Sequence, residues 1–101
     1  MKPDMGIFTI RSRDKAVGYL ETTQDLKGTI NKTFFQLRFG SHPNKNLQKT
    51  WKETGENNLT VEILEMLPYS KDESKTDYSE ELSILKLLWE ERMAEEGTKM
   101  L

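Results

Sequence analysis

The spacing of the apolar residues in this chain switches between the two-residue period of a strand and the 3.6-residue period of a helix. Residues 6–11 and 16–21 are short apolar segments on either side of a polar turn, which predicts two strands joined as a hairpin. A third strand is predicted over 59–66, where Leu59, Val61 and Ile63 alternate with other residues. Because this last segment is the most apolar of the three, we expect it at the centre of the sheet.

Apolar residues recur every three or four positions over 24–39, 43–54 and 77–94, which predicts three helices. Their expected buried residues are Leu26, Ile30, Phe34, Leu37, Leu47, Trp51, Tyr78, Leu82, Leu85, Trp89 and Met93. The predicted fold class is α+β, with a small three-stranded, mostly antiparallel sheet flanked by three helices in the order β-β-α-α-β-α.

The length of 101 residues suits a single domain spanning 1–101. The chain contains no cysteine, which excludes disulfides and thiolate metal sites. No segment approaches the ~18 consecutive apolar residues of a membrane span, so no membrane partner is expected. The N-terminal sequence lacks the apolar core of a secretion signal, and a cytoplasmic location is therefore expected.

The charged residues are unevenly distributed, although the net charge is only −2. Residues 53–101 carry thirteen acidic and five basic side chains, whereas residues 26–52 carry six basic side chains and no acidic one. These six are Lys27, Lys32, Arg38, Lys45, Lys49 and Lys52. They are the candidate nucleic-acid-binding residues, and ordinary solvated helix surfaces are the alternative interpretation.

Several short motifs resemble, in their order, those of the GIY-YIG nuclease family, in its phage and homing-endonuclease branch. Gly6-Ile7-Phe8 and Tyr19-Leu20-Glu21 correspond to the two tripeptides that name the family. Residues 40–51 resemble its second helix and residues 62–65 its third strand, so the likeness extends from residue 5 to about residue 93. Active members of this family cut DNA. The resemblance therefore implies a site with a tyrosine in each tripeptide, an arginine and often a histidine on the first helix, and a metal-holding glutamate on the last helix.

Most of these functional positions are substituted here. The first tyrosine position is Phe8, and only the second, Tyr19, is kept. Thr29 stands at the arginine position and Thr33 at the histidine position. Lys86 stands where the metal-holding glutamate is expected, and an ammonium group repels Mg²⁺. These five residues mark a family site that we expect to be inactive.

The resemblance and its substitutions together predict a catalytically inactive domain that acts as a weak nucleic-acid-binding or protein-interaction module. The expected partners are DNA, bound weakly and nonspecifically, or another protein, and no metal or other cofactor is expected. One alternative is an active Mg²⁺-dependent DNA endonuclease with a rearranged site that uses Glu21 and Glu90. The other alternative is a structural or regulatory domain with no nucleic-acid role.

The single histidine and the two tryptophans have simpler interpretations. His42 precedes Pro43 at the predicted start of a helix, so a capping or surface role is predicted for it. Trp51 and Trp89 lie on apolar helical stripes, which favours packing in the core over stacking on bases.

Overall fold

The structure, a computed structural model, describes residues 2–101 and has the predicted α+β class. The elements in chain order are β1 (Met5–Ser12), β2 (Val17–Thr23), α1 (Leu26–Phe39), α2 (Lys45–Thr54), a 3₁₀ turn (Glu56–Asn58), β3 (Leu59–Leu67), α3 (Ser79–Glu95) and β4 (Lys99–Met100). The three predicted helices and the three predicted strands are all present. None of the described helices combines the length and apolar character needed to cross a membrane.

The sheet has four strands in the order β3-β1-β2-β4, so the prediction of three strands is wrong by one. β1 pairs antiparallel with β2 and β3, while β4 pairs parallel with β2. Polar and backbone contacts hold β4 in place: Thr98 Oγ1 donates to the Lys15 carbonyl and the Lys99 N–H donates to the Ala16 carbonyl, each at 2.8 Å. A two-residue strand held in this way has no apolar alternation that the sequence could reveal.

The prediction that the third strand is central is also wrong, because β3 forms an edge of the sheet and β1 lies in the middle. α1 packs over β1 and β2, and β3 therefore keeps much of its apolar surface in solvent. Val61, Ile63 and Met66 are 41%, 48% and 51% exposed. Apolar content thus fails to identify the central strand here, since it does not report which strand the helices cover.

The two faces of the sheet carry separate cores, and β1 contributes alternate residues to each. The core on the α3 side contains Met5, Ile7, Leu20, Tyr78, Leu82, Leu85 and Met93. The core on the side of α1 and α2 contains Phe8, Ile10, Leu26, Leu37, Leu47, Trp51 and Leu59. Of the eleven residues predicted to be buried, Ile30, Phe34 and Trp89 are only partly buried, and they pack against these cores.

Candidate functional site

A cavity of about 520 Å³ opens between β2, α1, the connection from α1 to α2, and α3. Its polar lining residues are Tyr19, Glu21, Thr29, Lys32, Thr33, Gln36, His42, Asn44 and Lys86. Residues from four separate parts of the chain meet here, which makes this cavity the candidate site.

Four of the five residues at the predicted family site line this one cavity: Tyr19, Thr29, Thr33 and Lys86. The fifth, Phe8, is fully buried in the core beneath α1 and α2 and does not line the cavity. Its backbone lies opposite Glu21 in the β1–β2 register, so it is a neighbour of the site. Phe8 therefore contributes packing below the site.

β2 supplies a hydrogen-bonded pair of side chains to the cavity. Tyr19 and Glu21 are two residues apart on a strand and point to the same face. The Tyr19 hydroxyl donates to Glu21 Oε1 at 2.5 Å. Burial, together with this contact to a carboxylate, raises the pKa of Tyr19 well above its ordinary value. The phenol is protonated at neutral pH, as in an ordinary tyrosine, and the shift disfavours the phenolate further.

α1 presents four polar side chains along one face. Thr29, Lys32, Thr33 and Gln36 are three or four residues apart, so the helix brings them to the same side. Thr29 Oγ1 lies 2.6 Å from Thr23 Oγ1, and Thr33 Oγ1 donates to the Thr29 carbonyl at 2.8 Å. The threonine hydroxyls are thus engaged within the protein. The sequence analysis did not assign Gln36 to the site, although its spacing from Thr29 and Thr33 could have indicated it.

His42 lies in the short connection between α1 and α2, and it is only 7% exposed. Its Nδ1 accepts the Asn44 N–H at 3.0 Å, which places the hydrogen of the neutral ring on Nε2. The ring meets Tyr19 edge-on, with centroids 5.5 Å apart. Asn44 is the residue that caps α2, since its side chain accepts the Leu47 N–H.

The predicted surface role of His42 is wrong because the ring is buried, and the cap of α2 is Asn44, whose own N–H the His42 ring accepts. The connection folds inward because the His42 N–H donates to Gln48 Oε1, while Gln48 Nε2 donates to the Leu37 carbonyl. Each of these bonds is 3.0 Å long. They tie the connection to both helices and bury the ring. Such contacts between distant residues leave no local signal in the sequence.

The burial of His42 predicts a pH dependence of stability. Burial lowers the pKa of His42 below its ordinary value of 6.5, although the Glu21 carboxylate opposes this effect. The unfolded chain therefore takes up a proton first as the pH falls below about 6.5. We expect the free energy of unfolding, measured by urea denaturation, to decrease from pH 7.5 to pH 5.5. The decrease should be smaller in His42→Gln, and an equal decrease in both proteins would contradict this assignment.

The carboxylates with shifted pKa values change the free energy of unfolding only at lower pH, so they do not affect the comparison between pH 7.5 and pH 5.5. Hydrogen bonds from neighbouring serine residues and backbone N–H groups lower the pKa of Asp14, Asp72 and Asp77 below 3.8, and the contact with Lys75 lowers the pKa of Glu81 below 4.5. Their stabilising contribution is present above about pH 4.5 and is lost only as the pH falls through their folded-state pKa values.

The six predicted nucleic-acid-binding residues occupy different surroundings. Lys32 lines the site cavity, while Lys27 lines another cavity beside Asp4 and Asp25. Arg38 forms an ion pair with Glu56 at 2.6 Å. Segment 26–52 contains no acidic residue, but the fold places Glu56, from the following segment, beside Arg38.

The remaining three basic residues, Lys45, Lys49 and Lys52, line a shallow pocket on α2 together with His42. Their spacing of four and three residues places them on one helix face. Lys49 lies 3.9 Å from Glu53, a loose and exposed pair. Because His42 lines both this pocket and the site cavity, the basic face of α2 adjoins the candidate site.

The donor groups around the cavity do not fit a divalent cation. Glu21 is the only carboxylate among the lining residues, and it already accepts the Tyr19 hydroxyl. Glu90, its partner in the rearranged-site alternative, does not line the cavity. Across residues 2–101 no three histidine or carboxylate side chains are grouped so as to hold a metal ion. The ammonium group of Lys86 further disfavours a cation.

Comparison with solved structures identifies the fold. The chain is similar to the catalytic domain of the homing endonuclease I-TevI, with a TM-score of 0.73 and 20% sequence identity over 96% of this chain and 97% of that one. It is also similar to a mutant of the catalytic domain of the intron endonuclease I-TevI, with a TM-score of 0.57 and 26% identity over 79% of this chain and 84% of that one. No protein-family model and no curated protein sequence matches. The predicted resemblance to GIY-YIG nucleases is confirmed by these structural neighbours.

Proposed function

We propose that this chain, which has the fold of a GIY-YIG homing-endonuclease catalytic domain, binds nucleic acid weakly and does not cleave it. The observation that carries the proposal is the lining of the cavity between β2, α1 and α3. Lys86 and Thr29 meet there, at the positions where the resemblance places a metal-holding carboxylate and a phosphate-stabilising arginine.

The remaining side chains of the cavity support the absence of cleavage. Hydrolysis of a phosphodiester needs an activated water and a group that stabilises the charge developing on the phosphate. The Tyr19 hydroxyl donates its hydrogen to Glu21, and the raised pKa of Tyr19 makes the phenolate form still harder to reach at neutral pH than in an ordinary tyrosine. Because the donor groups of the cavity do not fit a divalent cation, the site offers no metal ion to lower the pKa of a water molecule.

The basic face of α2 supports the binding half of the proposal. Lys45, Lys49 and Lys52 share this face, and the pocket that they line adjoins the cavity through His42. A nucleic-acid strand that follows α2 would therefore place a phosphate near the cavity. The net charge of −2 opposes tight binding, so the expected affinity is low.

Binding of this kind should be sensitive to salt. Each lysine that neutralises a phosphate releases a counterion, so three such contacts predict that the affinity falls about tenfold or more between about 50 and 200 mM salt. The measurement is a fluorescence-anisotropy titration of labelled duplex and single-stranded DNA at these two salt concentrations. Tight binding that ignores salt would contradict the proposal.

The lysines of α2 can be tested against a control with the same change in net charge. Lys45→Glu combined with Lys49→Glu should weaken DNA binding about tenfold or more, because two phosphate contacts become repulsive. Lys71→Glu combined with Lys99→Glu alters exposed lysines outside α2 and should have a much smaller effect. Equal effects of the two double variants would refute a binding role for the α2 face.

A further inference from the structure

We infer that the cavity binds a phosphodiester group directly through Lys86 and Lys32, without a divalent cation. This inference rests on the proposed nucleic-acid-binding function and deepens it by assigning the phosphate-binding groups. It departs from the expectation that the resemblance gives, in which a carboxylate and a metal ion occupy this place.

The two lysines reach the cavity from different elements, Lys86 from α3 and Lys32 from α1. In the described part of the chain neither one forms an ion pair. Other basic residues do, including Arg38 with Glu56 and Lys75 with Glu81. Two lysine residues therefore line the cavity, and no carboxylate of the described residues neutralises either one by direct contact.

The other titratable groups that face the cavity leave this positive charge in excess. Glu21 provides one negative charge, and Tyr19 is a neutral hydrogen-bond donor to it. His42 accepts a backbone N–H at Nδ1, so its Nε2–H is a further donor in the neutral ring. The lining therefore has two lysines and an imidazole N–H donor, and only one carboxylate, which already accepts a hydrogen bond. This excess of positive charge and donors suits an anion.

Lys86 gives this position the same net charge that a phosphate would meet if, as the resemblance implies, a glutamate held Mg²⁺ there. A glutamate that holds Mg²⁺ presents a net charge of about +1, and a lysine ammonium at the same position presents the same net charge. The difference lies in the chemistry: an ammonium donates hydrogen bonds but cannot coordinate a water molecule and lower its pKa. Such a site holds a phosphodiester and leaves it intact.

The test is an NMR titration of the full chain with thymidylyl-thymidine, a dinucleotide with one phosphodiester, in the presence of EDTA. We expect the amide signals of Glu21, Thr29 and Thr33 to shift, and we expect no gain in affinity when Mg²⁺ is added in excess of the EDTA. Lys86→Glu should weaken binding about tenfold or more, because one charged contact is lost and a repulsive charge is introduced. Lys71→Glu is the matched control, since it makes the same charge change on an exposed residue outside the cavity.

The inference is overturned by cavity signals that shift only with Mg²⁺, by equal affinities of Lys86→Glu and Lys71→Glu, or by no shift at all. A parallel titration with inorganic phosphate distinguishes the source of the anion. The two ligands are compared at a pH low enough for inorganic phosphate to be monoanionic like the phosphodiester, and tighter binding of inorganic phosphate under that condition would refute the assignment to a phosphodiester. Because Lys86 is exposed, both variants should keep the dispersed spectrum of the folded protein.

Failure of this inference can be told apart from failure of the proposed function. If DNA binds through Lys45 and Lys49 while the dinucleotide leaves the cavity signals unchanged, only the cavity assignment falls. If the dinucleotide shifts the cavity signals while no DNA strand binds, the phosphodiester site stands and the proposed nucleic-acid-binding function falls.

Discussion

Gly6→Ala is expected to destabilise the protein by about 3 kcal/mol or more, which is a large fraction of the stability of a small domain. A Cβ atom on Gly6 would lie 2.1 Å from the Glu65 carbonyl oxygen and 2.9 Å from the Met66 Cα. Both atoms belong to the β3 backbone and cannot rotate away as a side chain can. β1 and β3 would have to separate next to the bulge between Ile7 and Phe8, where the edge strand pairs with an inner strand.

Gly18→Ala provides a matched control in β2, the other inner strand. A Cβ atom there would meet Met93 Cε at 2.9 Å and Thr98 Cγ2 at 3.1 Å, and both are side-chain atoms. Because methionine is flexible, we expect a cost of about 1 kcal/mol. Urea denaturation of the two variants and the parent measures the difference. Equal free energies of unfolding for Gly6→Ala and Gly18→Ala would contradict the close approach of β1 and β3.

This close approach gives the first tripeptide a structural reason for its glycine. The sequence identifies Gly6-Ile7-Phe8 as a motif and predicts a strand there, but only the pairing of β1 with β3 shows which backbone atoms crowd Gly6. Periodicity predicted the three helices and three strands because each buries one stripe or face of apolar residues. It missed β4 and misplaced β3, since both depend on contacts between distant residues.

The candidate site also has residues that the sequence predicted and one feature that it could not predict. The resemblance supplied Tyr19, Thr29, Thr33 and Lys86, and the fold brings these four residues to one cavity. Helical spacing could have added Gln36. The inward connection that buries His42 could not be predicted, because Gln48 both accepts the His42 N–H and donates to the Leu37 carbonyl, and neither residue belongs to α2.

The absence of DNA cleavage is the second large effect that we expect. Loss of one group that stabilises the transition state typically lowers a rate by about 10²–10³. Lys86, Thr29 and Phe8 stand at the positions where the resemblance places the metal-holding carboxylate, the arginine and one tyrosine. These losses do not simply multiply, because catalytic groups act as a unit, but the remaining rate should lie below detection.

The rearranged-site alternative defines the control for this experiment. In that alternative Glu21 and Glu90 hold the metal ion, so a variant that combines Glu21→Ala and Glu90→Ala would lose activity. In the structure Glu21 accepts the Tyr19 hydroxyl, and Glu90 does not line the cavity. We therefore expect the parent and the double variant to behave alike in any cleavage assay.

The central claim, a nuclease fold that binds nucleic acid without cutting it, is tested most directly by incubating the purified chain with supercoiled plasmid. The reaction contains Mg²⁺ or Mn²⁺, and a metal-dependent endonuclease serves as the positive control. We predict that the plasmid stays supercoiled with the parent and with the Glu21→Ala, Glu90→Ala variant, under conditions where DNA binding is measurable. Metal-dependent nicking by the parent that disappears in the double variant would contradict the account and establish the rearranged nuclease site.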